Sequence, residues 1–403
     1  MTGPRGPGSA GQTYLVGQHL YLRPPVAGDA AHVMAWRDDL WPVSPKRAEE
    51  WLEKKLPKEF EQRRWRLIAC RLADDAPIGS VWIDEKDDAP SAWVRLFASA
   101  ALSAAERELA LSGMLALIIE WLGMERGAPA IEADFAACDA GVIAAGEALG
   151  MRRSYRLRQG FWRDGALHDW ITLQWMHPAW IARMGDPGPG IDLEGEPVAE
   201  PRSPAPLRWP ERSLPLPRNT VIASTRLALR PFEPDDHEPV ARSFMEEAAA
   251  SFGHPRMPIS PLTLARWHAE ADESEPPSEV EFAIVLRETG EVIGDNGIYY
   301  IDWLSRTAET GSWIYRAQHR GGGLGTEAKH LLLEWAFQRA GINMVWSWVY
   351  LDNDRSAAAL RKQGYREAGR IDWIGRSRDG FTSARVFDLL ATEWRAARRP
   401  ADG

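Results

Sequence analysis

The residues best suited to chemistry lie together in HRGGGLGTEA, residues 319–328. A strand-like run, GSWIY (311–315), precedes them and an apolar-periodic run (328–340) follows. Gly321, Gly322, Gly323 and Gly325 therefore fall where a strand turns into a helix. Backbone N–H groups at such a turn, with the positive end of the helix dipole behind them, can hold a phosphate. Glycine suits the place because the backbone must come within hydrogen-bond reach of the anion and can need positive φ. A nucleotide P-loop requires GxxxxGK[ST], and no Lys followed by Ser or Thr succeeds these glycines. Gly323, Gly325 and Ala328 satisfy a dinucleotide GxGxxA pattern, yet the position of its ribose-binding acid is Asn343, and the next strand-end acid, Asp352, comes too late. What remains is RxxGxG, formed by Arg320, Gly323 and Gly325, beside the plain alternative of a glycine turn without a ligand.

Read as RxxGxG, the stretch resembles the pyrophosphate loop of the GNAT acyl-CoA N-acyltransferases. Asn353 comes 28 residues after Gly325 and opens NDRSAAALRKQGYR (353–366), which resembles that superfamily's second cofactor motif. TRLALRPFEPDD (225–236) is similar to its opening strand and turn, and VIGDNGIYYID (292–302) to its central hairpin. Order, spacing and the TEA tail (326–328) are closest to the ribosomal-protein and small-amine acetyltransferase branch, over nearly all of residues 219–395. The resemblance implies acetyl-CoA as cosubstrate, held by Arg320, Gly321, Gly322, Gly323, Leu324, Gly325 and Thr326, with Asn353 and Ser356 on the cofactor side. It implies too that the main chain of Trp313, Ile314 and Tyr315 pairs with the pantetheine arm. In that branch a Glu in an A-E-x-G context faces the cleft, which here is Glu309 in TAETGSWIY (307–315).

N-acyl transfer needs a neutral amine, whereas a lysine-type amine titrates at about 10.4 and an α-amine at about 7.7–8.0. A nearby carboxylate can take the proton, and Glu309 is the candidate base, with an exposed strand carboxylate as the alternative. A proton donor to the departing thiolate is harder to place, because the position seven residues after Asn353, where several relatives carry tyrosine, is Leu360. Ser356, a water or Tyr365 could substitute, Ser356 being a cofactor-side residue first and an acid second. Cys70 and Cys138, the two cysteines, both lie in the first half, so direct attack in a ternary complex is expected rather than an acyl-cysteine. They give neither a metal site nor a disulfide framework, which suits a reducing cytoplasm. His254, His268 and His319 are scattered rather than set at ligand spacing.

These residues need scaffolding, and 403 residues exceed one ordinary core. Nine prolines between Asp186 and Pro217 read as an extended linker. The halves on either side repeat one another: HLYLRPPVAGDAA (19–31) answers RLALRPFEPDDHE (226–238), and PIGSVWID (77–84) answers VIGDNGIYYID. At a constant offset of 214, Arg320 and the loop 321–325 correspond to residues 106–111, which hold no glycine and two carboxylates, Glu106 and Glu108. The equivalent of Glu309 falls near Arg95. The expected organisation is a disordered leader (1–14), a degenerate GNAT-like domain (15–180), a Pro-rich linker (181–218) and a GNAT acetyltransferase domain (219–397). The expected fold class is α/β (α+β), two tandem domains, each a mixed, mostly antiparallel twisted sheet flanked by helices.

A net charge of −9 argues against nucleic acid and mildly favours cationic acceptors. Acids at 246–252 and 271–281 lie where this fold builds its acceptor wall. No stretch approaches a membrane span. The expected function is acetyl transfer from acetyl-CoA to a primary amine on a small molecule or a protein N-terminus, with the two domains packed together and a homodimer left open. A non-catalytic acyl-CoA-binding regulator and a mere scaffold are the alternatives.

Overall fold

A computed structural model of the chain describes residues 14–37, 42–85, 90–188, 215–246, 259–271, 276–377 and 380–397. The expected leader, apart from Tyr14, most of the expected linker, most of the acidic stretch at 246–252 and residues 272–275 of that at 271–281 lie outside these residues. The helix Pro178–Met184 carries regular structure past residue 180, started by Pro178 in its first turn and by His177 Nδ1, which accepts the Ala179 N–H (3.0 Å).

The chain forms two compact units, neither a single stretch: residues 1–156, 168–195 and 369–384 make the first, and 157–167, 196–368 and 385–403 the second. The first contains β1 (Leu15–Val16), β2 (Leu20–Arg23), β3 (Arg64–Arg71), β4 (Pro77–Glu85), β5 (Ser91–Ala98), β6 (Ala130–Ala136), the start of β7 (Arg152–Arg163) and most of β8 (Ala166–Met176). Its sheet order is β1-β2-β3-β4-β5-β6-β8-β7, antiparallel from β1 to β5 and parallel between β5 and β6.

The second unit repeats this plan with β9 (Ile222–Ala223), β10 (Leu227–Arg230), β11 (Val280–Leu286), β12 (Val292–Asp302), β13 (Thr307–Ile314), β14 (Met344–Tyr350), the start of β15 (Arg366–Ser377) and the end of β16 (Gly380–Leu390). Its order is β9-β10-β11-β12-β13-β14-β16-β15, with β13 and β14 parallel. A local signature repeats too: Arg23 forks onto Asp29 (2.8 and 2.6 Å) as Arg230 forks onto Asp236 (2.6 and 2.8 Å). Each carboxylate also takes a backbone N–H three residues before it, so the pair fixes the turn after the opening strand.

The helix Leu324–Gln338 buries Ala328, Leu331, Leu332 and Ala336, the i, i+3, i+4, i+8 spacing of one helix face, against Ile284, Ile298 and Ala308 of the second core. Asn296 on β12, wholly buried, donates Nδ2–H to the Ala328 carbonyl (2.9 Å), tying the sheet to that helix. In the same unit Asp388 is 0 % exposed and receives the Arg158 backbone N–H (2.9 Å), the Arg158 guanidinium (2.8 Å) and the Arg366 guanidinium (2.8 Å). Removing one partner of a buried ion network leaves uncompensated charge, so Asp388→Asn is expected to lower unfolding free energy by about 3–5 kcal/mol, read by chemical denaturation of the full chain.

Candidate active site

The site begins where two strands part. β13 pairs with β14 through Thr307↔Met344, Ala308↔Val345 and Glu309↔Trp346, whereas residues 310–314 stay paired only with β12. Thr310 closes the end of the ladder: its hydroxyl donates to the Trp346 carbonyl (3.2 Å) and meets Tyr365 Oη (2.8 Å), and its carbonyl accepts from Ser347 Oγ (2.8 Å). The β14 edge of 311–314 thus has no strand beside it among the described residues, a place where an extended arm can add main-chain hydrogen bonds. Trp313 is half exposed and Tyr315 is buried.

The glycine loop follows directly. Gly321 (φ 86°) and Gly323 (φ 80°) occupy the left-handed region, and Gly323 is the N-cap of the helix Leu324–Gln338. The helix's first N–H groups, those of Leu324, Gly325 and Thr326, have no acceptor within the helix. Side chains would meet nothing within 4 Å at Gly321 or Gly322, so the loop faces open space. Arg226 grips it, donating Nη1–H to the Gly322 carbonyl (3.0 Å) and Nε–H to Glu327 (2.7 Å), whose other oxygen accepts from Ser224 Oγ (2.5 Å). Gln363 Nε2–H bonds the Thr326 carbonyl (2.8 Å). Arg320 turns back instead, donating to the carbonyls of Ile314 (2.9 Å) and Tyr315 (2.5 Å). Arg226 is the cation sequence reasoning passed over, since nothing at the start of β10 marks it as a loop clamp. Asn353 Oδ1 accepts the Ser356 N–H (3.1 Å) and caps the helix Asp354–Lys362, so this pair shapes the helix start.

On the face of the sheet away from the Leu324–Gln338 helix, register places three pairs in succession: Tyr299 beside Glu309, Gly297 beside Gly311, and Asp295 beside Trp313. The Tyr299 ring lies over both glycines, where a β-carbon on Gly311 would stand 2.8 Å from it. Its hydroxyl donates to Glu281 Oε1 (3.1 Å). Glu281 Oε2 faces His268 Nε2 (3.3 Å), and His268 Nδ1 meets His237 Nε2 (3.1 Å). Phe232 stacks on His268 at 4.0 Å, and Phe244 packs edge-on to Trp313 at 4.8 Å. His268 is therefore paired, and its partners His237 and Glu281 were not legible because 31 and 13 residues of sequence separate them from it.

The electrostatics are uneven. Asp295 keeps some accessible surface, yet burial and then the Glu281 charge push its carboxyl up to about 8, against a bond from Tyr315 that pulls it down. Burial, Asp295 and Glu281 raise the Tyr299 hydroxyl far above its ordinary range. Burial and then His268 lower His237. Lys329, 6 % exposed, is brought down to about 7 by burial, with Glu309 opposing, and its ammonium stands 5.9 Å from the Tyr365 ring. The Tyr365 hydroxyl, raised by burial and held to Thr310, keeps its proton and is a poor donor.

The first unit handles the same places differently. Residues 106–111 lie inside the helix Ala104–Ile118, whose start is closed by a capping box between Ser103 and Glu106. Their N–H groups are not presented to a ligand as a glycine loop would present them. Register places the counterpart of Glu309 at Trp93, near Arg95 as expected: Trp93 pairs with Asp84 and Glu132 as Glu309 pairs with Tyr299 and Trp346.

Residues 226–366 match the family model described as an acetyltransferase (GNAT) domain. An uncharacterized N-acetyltransferase, p20, of Bacillus licheniformis is 25% identical over 179 residues, 43% of this chain and 98% of that protein. A solved structure from Sphaerobacter thermophilus, described as an acetyltransferase, is 30% identical and spans 41% of this chain and 97% of its own, with a TM-score of 0.33. A spermidine/spermine N-acetyltransferase of Vibrio cholerae is 15% identical, covering 44% of this chain and 100% of that one, with a TM-score of 0.38.

Gly322 has neither positive φ nor a neighbour in the way, so Gly322→Glu should fold with unchanged Tm while placing a carboxylate at the loop and abolishing acetyl-CoA binding by calorimetry. Asp295 is protonated when folded and ionised when unfolded between about pH 4 and about 8, so folding takes up a proton there. Stability is expected to fall as pH rises through that window, and Asp295→Asn to flatten the slope in melts recorded across it.

Proposed function

We propose, from the premise that this chain belongs to the GNAT acetyltransferase family and is an N-acetyltransferase with acetyl-CoA as cosubstrate, that its second unit transfers acetyl directly to a primary amine in a ternary complex. The observation that carries this reading is the parting of β13 from β14 after Glu309, followed at once by a glycine-capped helix N-terminus. A pyrophosphate fits the loop 321–326, where open space, first-turn N–H groups and the Arg226 guanidinium converge. The unpaired edge of 311–314 suits a pantetheine arm, which would bring the thioester beside the end of the ladder.

The roles of the chain's own groups follow. Glu309, at the last paired position, accepts a proton from the incoming ammonium, directly or through water. Main-chain N–H groups of the parted strand stabilise the charge that gathers on the thioester oxygen. Asn353 and Ser356 set the start of the helix that flanks the cofactor. Burial brings the Lys329 ammonium down to about 7 and makes the Tyr365 hydroxyl hold its proton more tightly than usual. The first unit binds no acyl-CoA, a reading supported by the unbroken helix through its loop positions.

The acceptor is a cationic amine, which the Glu281 and Glu309 carboxylates on one face favour; polyamines belong in any panel because spermidine is named for the Vibrio cholerae protein. Calorimetry should give one acetyl-CoA per chain, and thiol release should appear with some amine among spermidine, an aminoglycoside and a peptide N-terminus. Glu309→Gln should lower kcat about 10²–10⁴-fold with little change in KM for acetyl-CoA. Binding without thiol release from any amine would instead support an acyl-CoA-binding regulator.

A further inference from the structure

One short turn gathers buried hydrogen bonds for which the acetyl-transfer reading has no use. The helix Asp354–Lys362 ends at Gln363, and Gly364, in the left-handed region (φ 94°), closes it. Two backbone bonds mark the closure, Gly364 N–H to the Arg361 carbonyl (3.0 Å) and Tyr365 N–H to the Leu360 carbonyl (3.2 Å). Gln363 and Tyr365, on either side of the glycine, are both buried. We infer that this turn holds both ends of the cofactor slot: Gln363 positions the helix start that takes the pyrophosphate, and Tyr365 positions the ladder end beside which the thioester lies. This rests on the acetyltransferase reading above.

Gln363 acts on one turn of the helix Leu324–Gln338. Its Nε2–H donates to the Thr326 carbonyl (2.8 Å) and its Oε1 meets His330 Nδ1 (3.2 Å), so one amide spans residues i and i+4. A carbonyl can only accept, so the amide nitrogen faces Thr326 and the amide oxygen faces His330, whose Nδ1 then carries the hydrogen. In a regular helix the Thr326 carbonyl already takes the N–H of residue 330, so Gln363 adds a bond that the helix backbone does not itself require. What it fixes is direction. The N–H groups of Leu324, Gly325 and Thr326 hold an anion well only if they stay within about 0.5 Å of their productive placement. At the other side of the turn, the Thr310 hydroxyl gives its hydrogen to the Trp346 carbonyl (3.2 Å), so the Tyr365 hydroxyl donates to Thr310 (2.8 Å). That bond steadies the residue at which β13 leaves β14.

The first unit shows that the fold does not need these side chains. Its turn is kept: Gly150 is left-handed (φ 87°), with its N–H on the Glu147 carbonyl (3.0 Å) and the Met151 N–H on the Gly146 carbonyl (3.0 Å). At the offset of 214, Leu149 stands for Gln363, Met151 for Tyr365 and Ala116 for His330, and by strand register Val94 stands for Thr310. All four polar groups are replaced in the unit whose loop positions lie inside a helix, while the backbone turn remains. The turn goes with the fold, and its polar side chains go with the cofactor site.

Two acetyl donors test this on the full chain: acetyl-CoA, and S-acetylpantetheine, which has the thioester and the arm but no pyrophosphate. Gln363→Met, apolar and of similar length, should raise the Kd for acetyl-CoA about ten- to a hundredfold by calorimetry. Thiol release, with the amine that reacts fastest in wild type, should show kcat/KM falling for acetyl-CoA and holding for S-acetylpantetheine. Tyr365→Phe should leave the Kd for acetyl-CoA in place and lower kcat about three- to tenfold with either donor. His330→Phe, which removes one partner of the Gln363 amide, should weaken acetyl-CoA binding less than Gln363→Met, and it covers the case in which that variant folds poorly. An unchanged Kd in both Gln363→Met and His330→Phe, or an equal loss for the two donors, overturns the role of Gln363. A Tyr365→Phe variant that loses acetyl-CoA affinity as Gln363→Met does overturns the division between the two ends. Acetyl-CoA bound by wild type without thiol release from any amine would remove the acetyltransferase reading and the Tyr365 role with it, while calorimetry would still decide the role of Gln363.

Discussion

Main-chain groups that leave a β-ladder must find other partners, at a cost of about 1–3 kcal/mol for each one buried and unmet. In this protein that constraint sits at Thr310, the first residue of β13 beyond its pairing with β14. There the Thr310 carbonyl accepts from the Ser347 hydroxyl and the Trp346 carbonyl accepts from the Thr310 hydroxyl, itself in contact with the Tyr365 hydroxyl, while the next residues meet it on one side only, through β12. The resulting slot opens onto the helix that begins at Gly323. A strand edge able to accept an extended arm and a helix start able to accept an anion are thus produced by a single break in pairing.

The two units show how far one scaffold can be turned electrostatically. The Arg–Asp forks set a common register, Arg23 pairing with Ile68 and Arg230 with Ala283. Counting from those pairs, Arg66 stands where the second unit has Glu281, Ser80 where it has Asp295, and Trp82 where it has Gly297. Arg66 bonds Ser80 (3.3 Å) and lies 5.4 Å from the Trp51 ring, while Glu281 meets His268. A face that gathers carboxylates over a glycine floor in one unit gathers arginine and tryptophan in the other. The same strand positions therefore carry different charge in the two units.

Burial supplies most of the unusual protonation. Asp295 near 8 and Lys329 near 7 are both pulled toward neutrality of charge by desolvation.

Local sequence was enough for the glycine loop, the strand before it and the Asn353 cap, because each depends on backbone conformation within a few residues: positive φ at Gly321 and Gly323, and a side chain reaching three residues ahead at Asn353. Repetition along the chain likewise made the doubled plan visible, since LRPPVAGD and LRPFEPDD encode the same Arg–Asp fork. The rest was decided by strand register and burial. Arg226 reaches Gly322 across 96 residues, His237 meets His268 across 31, and it is pairing, not a constant offset, that singles out Trp93 near Arg95 as the counterpart of Glu309. Sequence fixes what each residue can do; only the folded sheet decides which groups lose water and which find one another, because register and desolvation belong to the packed chain and to no segment of it.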